Sequence, residues 1–397
     1  MTDNINKPDE GYTEYYSEIA IRLKIVKLLL AAVTFIAIAF SVIGNVNEFT
    51  PENFSRLMRY IDIGAGDRPI LEQFPIDVDE NSRTAYFYNY TAVLKRGKIT
   101  IYDSSGKVAM SRREAFSSPV ISAGDKFILA YGVGGTKIEI FNTFANIFEL
   151  DTGTVITFAK MAESGAFLYV TSDDKYRSVI YAFDSSFERI SVSSRNEYVI
   201  AADLSDDGKT VVSLGYGAEN GDYYFKASVV KGEEKASEEI IRGEMPLAVK
   251  FTESGFAAVS DSALRHFASN GAESAYYSYS GSPLKKYAIG NNIAAAALGA
   301  DALGHSTKIV ILSPKGEITE ANLPSEPRDM MFTEDEAYLI ALTADGLYRI
   351  DGTSATKLEA EYDETANRII HAGDGSVWLT GLYSVDVVPI FDQEAES

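Results

Sequence analysis

Residues 204–214 read LSDDGKTVVSL. A polar run, Ser205-Asp206-Asp207-Gly208, leads directly into Thr210, Val211 and Val212. Ser and Asp favour turns because their side chains bond nearby backbone, and Gly supplies the left-handed conformation that a tight turn needs. β-Branched residues then suit a strand. The stretch therefore reads as a hairpin turn opening into a buried strand.

The same event recurs along the chain. Turns fall at 122–125 (SAGD), 163–165 (ESG), 205–208, 253–255 (ESG), 290–292 (GNN), 334–336 (EDE) and 373–375 (GDG), each followed by an apolar strand. A second series runs in step: 103–106 (DSSG), 151–153 (DTG), 184–186 (DSS), 231–232 (KG), 269–271 (SNG), 314–316 (PKG) and 351–352 (DG). Both series repeat every 41 to 42 residues or about that, the length of four short strands, which is one blade of a β-propeller. The expected fold is all-β: a β-propeller over 67–391, with eight blades. The count falls to seven if one irregular unit, around 131–150, is misread. The first unit is expected to start at Tyr90. The last, 368–390, holds about three strands, so a ring without raw edges requires a fourth from the N-terminal side, around 74–78 (FPIDV). The Glu-rich stretch 233–239 reads as a solvated turn.

Upstream lies an apolar segment, 28–43 (LLLAAVTFIAIAFSVI), in a window without charge from Lys27 to Glu48. About 20 apolar helical residues span a bilayer core, so 25–46 is expected to be a transmembrane helix through which the chain contacts the membrane. A cleaved signal peptide and a buried core helix are the competing readings; no small-x-small cleavage pattern follows the run, and the segment is apolar on all sides. Arg22, Lys24 and Lys27 flank its N-terminal side, which orients 1–24 as a cytoplasmic, disordered tail and places the propeller outside the cell. In the linker 47–66, Thr50-Pro51-Glu52 is a helix start and Phe54, Leu57, Met58 and Ile61 form one apolar stripe, predicting a short amphipathic helix at 51–61. Residues 392–397 form an acidic tail.

Composition narrows the chemistry. No cysteine occurs, which removes disulfides, thiolate metal sites and a cysteine nucleophile; an outward domain built this way suits a bacterium. The net charge of −21 argues against nucleic acid as a partner. The three histidines, His266, His305 and His371, fall in different repeats without metal-ligand spacing. The acidic pairs Asp173-Asp174, Asp206-Asp207 and Glu334-Asp335 sit where hairpin turns need polar residues. Gly132, Gly134 and Gly135 lie within a β-unit, with no following helix to make a dinucleotide site. No catalytic, cofactor-binding or metal residue is assigned, and no cofactor is expected. Aromatic clusters at 86–90, 223–225 and 276–279 offer either ordinary packing or contacts for a protein or glycan.

The phrases KITIYDSSGK (98–107), LSDDGKTVV (204–212) and TADGLYRIDG (343–352) resemble those of bacterial WD-like and quinoprotein-like propellers. The whole plan resembles an uncharacterised family of Gram-positive single-pass membrane proteins with a propeller as the outer domain. That resemblance implies a fold and a location and carries no functional residue. Quinoprotein enzymes bear repeated tryptophan docking motifs, and this chain has one tryptophan, Trp378. The expected function is a non-enzymatic binding or scaffold module at the bacterial cell envelope, with an envelope protein or glycan as partner. The alternative is a carboxylate-based hydrolase or lyase acting on envelope polysaccharide. A third reading, signalling through the N-terminal tail, needs a partner protein.

Overall fold

In the structure, the turn at 205–208 joins strands Tyr198–Leu204 and Thr210–Glu219. Ser205 Oγ donates to Asp207 Oδ1 at 2.6 Å, and the same carboxylate accepts Lys209 N at 3.0 Å. This local bonding ends one strand and starts the next. The computed structural model describes residues 72–391, apart from 79–81, 96, 114–115, 144, 233, 300–305 and 374, together with Lys27. Apart from Lys27, the expected transmembrane helix (25–46), juxtamembrane helix (51–61), cytoplasmic tail (1–24) and acidic tail (392–397) lie outside the described residues. Among the described residues, no helix is long and apolar enough to cross a membrane.

Thirty-two strands form eight four-stranded antiparallel sheets. Seven are contiguous in sequence, at 83–112, 119–151, 156–195, 198–242, 246–278, 284–323 and 327–357, and are numbered blades 1 to 7 here. The eighth combines three strands from 368–389 with Gln73–Pro75 from the N-terminal side. Within a blade the strands are lettered a to d in chain order. The a strands of most neighbouring blades lie side by side, and those of blades 8 and 1 meet, which closes the ring. The a strands thus line the axis, and the d strands, such as Val108–Arg112, are exposed.

Side chains alternate along the b and c strands, and both faces are covered by a neighbouring blade. Ala257 and Val259 pack toward blade 6, and Phe256 and Ala258 toward blade 4. The core is therefore a set of wedges between blades. Between blades 2 and 3 the wedge is aromatic, with Phe148, Phe167 and Phe187 in contact. The wedge between blades 8 and 1 is built around Phe74, which is 1% exposed and meets Trp378 edge-on at 6.0 Å. Gly106, in the c–d turn of blade 1, has φ +74°, and a Cβ there would stand 2.6 Å from Phe74 Cβ. Only glycine meets both demands.

Three sequence expectations are corrected. Blade 1 begins with Arg83–Phe87, not at Tyr90; its a–b turn is Tyr88-Asn89, both at positive φ (48° and 60°) and without glycine. In blade 2 the c–d turn is at 142–145, where Asn142 Oδ1 accepts Ala145 N at 2.8 Å; Asp151-Thr152-Gly153 is the crossover into blade 3. The Glu-rich stretch belongs mainly to an exposed d strand, Glu234–Arg242, rather than a turn. An outermost strand has little to bury, so it lacks the apolar signature of its neighbours.

Candidate functional site: the a–b mouth of the axial channel

Every a strand ends in an a–b turn, so these turns gather around one mouth of the axial channel. Four of them share a pattern: Ala162-Glu163-Ser164-Gly165, Ser205-Asp206-Asp207-Gly208, Thr252-Glu253-Ser254-Gly255 and Thr333-Glu334-Asp335-Glu336. The third residue builds the turn in at least two blades. Asp335 accepts Thr333 Oγ1 at 2.6 Å and Ala337 N at 3.0 Å, as Asp207 does in blade 4. These bonds, led by the hydroxyl donor, hold Asp207 and Asp335 below the usual carboxylate range. The second residue stays exposed and faces the mouth: Glu163, Asp206, Glu253 and Glu334. The acidic pairs are thus turn formers, as expected, but each such turn also adds one carboxylate to a rim.

Inside the rim are two cavities, of about 590 Å³ and 320 Å³, which share Glu163, Lys250 and Asn291. Their size is that of sites for small ligands, roughly 300–1,000 Å³. The inner carboxylates are already bonded. Asp203, with 6% of its side chain exposed, pairs with Lys160 Nζ at 3.0 Å and accepts Phe251 N at 2.8 Å, tying blades 3, 4 and 5. Farther along the channel, toward the opposite mouth, Asp329 repeats this across blades 6, 7 and 8, pairing with Lys286 Nζ at 3.1 Å and accepting Ile369 N at 2.9 Å. The a strand is the free edge of each sheet, and these side chains satisfy amides that no further strand can reach. The a–b turns are also joined to each other: Asp125 N donates to Glu163 O, Ser164 Oγ to Asp206 O, Glu253 N to Asn291 O and Glu334 N to Ala372 O. The Glu336 carboxylate accepts the backbone N–H groups of Asn291 and Asn292. The rim is therefore a fixed frame.

Burial displaces the titration of two further rim groups, Lys250 and Asp125. Lys250 donates to Asn291 Oδ1 at 2.8 Å, and burial drives its ammonium below the ordinary lysine range despite Glu163, Asp203 and Glu336 nearby. Asp125, at the rim, is pushed up, by burial first and then by the charge of Asp206. His371 lies on the a strand of blade 8, stacked on Tyr86 at 3.8 Å with Nδ1 3.7 Å from Glu334. Tyr86 is pushed up to about 12, chiefly by burial. His266 is in the core, 1% exposed, with Nε2 3.0 Å from Leu312 O; burial pushes it down. His305 lies outside the described residues. No group of three or more metal-ligating side chains that could hold an ion occurs among the described residues. Gly134 and Gly135 bond the start of the next a strand, at Ile156, as part of a blade 2 turn. The aromatic clusters fall on blades 1, 4 and 5 and form no single face; Tyr276 covers Arg265 at 4.6 Å, and Tyr279 is buried.

The opposite mouth differs. It has a cavity of about 280 Å³ lined by Arg83, Lys286 and Arg368.

In sequence the rim acids read as turn residues. The available signal was positional: an acid at the same step of four a–b turns. Lys250 carries no such signal in the sequence.

The model of a family of unknown function (DUF5711) matches residues 69–389, and the chain belongs to that family. No curated protein sequence matches it. Among solved structures it is similar to BamB from Moraxella catarrhalis, at 12% identity and TM-score 0.52, covering 81% of this chain and 99% of that one. It is also similar to the Dos1 propeller, at 8% identity and TM-score 0.52, covering 70% and 81%. At these identities the likeness concerns the fold alone.

Proposed function

We propose that this DUF5711 propeller is a non-enzymatic binding module, tethered to the bacterial cell membrane by residues 25–46 with its N-terminus in the cytoplasm, and that it receives an envelope partner at the a–b mouth. The observation that carries this reading is the state of the inner carboxylates. Asp203 and Asp329 each hold a lysine from the preceding blade and an amide from the following one. A catalytic carboxyl must exchange a proton or attack substrate, and a group fixed between two donors is poorly placed for either. The rim acids remain exposed on a frame that neighbouring turns hold rigid, which suits recognition by contact. The a–b turns converge at this mouth, and converging loops on a rigid scaffold support a binding role there. The anchor rests on the uncharged run 28–43 and its basic N-terminal flank.

Full-length protein captured from cross-linked intact membranes is expected to bring down a specific envelope protein or glycan. The same capture with Glu163→Lys and Glu253→Lys together is expected to lose it. Recovery of nothing specific, or full retention by the double variant, contradicts the reading.

One observation favours the envelope hydrolase as a second reading: Asp125 is held above the usual carboxylate range beside Asp206. Turnover of envelope polysaccharide by the full-length protein that Asp125→Asn abolishes would establish it; no turnover would remove it.

A further inference from the structure

Lys250 stands apart from the other channel lysines. Lys160 is paired with Asp203 and Lys286 with Asp329, but no carboxylate pairs with Lys250 among the described residues. An ammonium has three N–H donors. One is used, on the neutral amide of Asn291, whose own backbone is fixed by Glu253 N and by Glu336. The Lys250 side chain lines both cavities, at the place where they adjoin. Glu163, Asp203 and Glu336 act on Lys250 only through space, and burial outweighs them, so a partly buried ammonium is left with no carboxylate in contact.

We propose that Lys250 anchors the carboxylate of a ligand that is cationic elsewhere, namely the free C-terminus of a peptide rich in lysine and arginine. The inference rests on the binding reading above and gives that site a ligand class. A ligand carboxylate would supply the contacting partner that the protein's own carboxylates do not give Lys250. The rim decides the rest of the ligand. Glu163, Asp206, Glu253 and Glu334 surround the entrance, so a small free anion or a polyanion such as nucleic acid is repelled before reaching Lys250. A chain that ends in a carboxylate and carries cations one or more residues upstream meets both fields. An extended peptide advances about 3.3–3.6 Å per residue, which lets the upstream side chains reach the rim while the terminus sits inside. Capture of a terminal carboxylate is an established mode of peptide recognition.

The probe is a fluorescein-labelled peptide, Gly-Lys-Arg-Lys-Ala, made with a free carboxylate and as the C-terminal amide. Fluorescence anisotropy against the full-length protein in nanodiscs reads both. The acid is expected to bind at least about tenfold more tightly than the amide. Lys250→Met is expected to erase that difference, and Lys250→Arg to keep it. Equal binding of acid and amide by the unmodified protein overturns the inference while leaving an acidic docking mouth intact. A preference for the acid that survives Lys250→Met also overturns it, as does failure of both peptides to bind. The acid–amide comparison needs no variant, so it stands even where a substitution harms folding.

Discussion

The two mouths of the channel are the two ends of the same eight a strands, and they differ in charge and in how regularly they are built. At the a–b end each strand turns back on its own blade through a few residues. The turn chemistry is repeated, so the residue beside the turn former is repeated too, and four blades place Glu163, Asp206, Glu253 and Glu334 around one opening. At the other end the chain crosses between blades. There Arg83, Lys286 and Arg368 line a smaller cavity, without a shared motif. A repeat constrained by local hydrogen bonding thus generates a ring of like charge, which an irregular crossover does not. The ring's position follows from backbone geometry, and its chemistry follows from one variable residue per turn.

The largest effect that sharpens this contrast is structural. If the inner carboxylates build the frame and the rim acids do not, Asp203→Ala should cost about 3 kcal/mol, because it strands Lys160 and Phe251 N inside the channel. Glu163→Gln should stay within about 0.5 kcal/mol. Urea unfolding of the two variants checks the pair, and similar losses in both would break the distinction.

A second effect concerns association. Replacing Glu163, Glu253 and Glu334 together by Lys should weaken binding of a cationic peptide by about tenfold or more at low salt, with the difference shrinking as ionic strength rises. Replacing Arg83 and Arg368 by Glu should leave that binding nearly unchanged. Anisotropy titrations over a salt series measure both.

The smallest effect lies in the acid limb of stability. Asp207 and Asp335 are held below their unfolded value by hydroxyl and backbone donors. On acidification the unfolded chain therefore takes up their protons first. Their contribution is present above about pH 4 and fades as pH falls through the lower folded values. The stability gap between the protein and the Asp207→Asn, Asp335→Asn double variant should narrow between about pH 4 and pH 2, as followed by denaturant unfolding. A gap independent of pH would show that these carboxylates do not hold the turns.

Much of the architecture was legible because propeller turns are local. Ser205-Asp206-Asp207-Gly208 signals its hairpin by its own side chains, and the incomplete unit at 368–390 called for a closing strand that Gln73–Pro75 supplies. The first strand of blade 1 was hidden because Tyr88-Asn89 turns without glycine; its geometry is supported by Tyr86 Oη donating to Asn89 Oδ1 at 2.5 Å. Blade 2 was misphased because Asp151-Thr152-Gly153 looks more like a turn than 142–145 does, although Asn142 closes the latter. The rim was half legible, as a recurring acid. Lys250 was not, because in sequence it is one polar residue in an alternating strand, PLAVKFT (246–252). Its place on the axis arises only when blades distant in sequence close into a ring, which brings it beside Asn291 and within the field of Glu163.

The most direct test of the central claim is site-specific photo-cross-linking in intact membranes. A photoreactive residue would be placed at Glu253 in the a–b mouth and, separately, at Arg368 in the opposite mouth of the full-length protein. The account predicts one specific envelope adduct from position 253 and none from position 368. An adduct from position 368 alone would contradict it and move the functional site to the basic mouth.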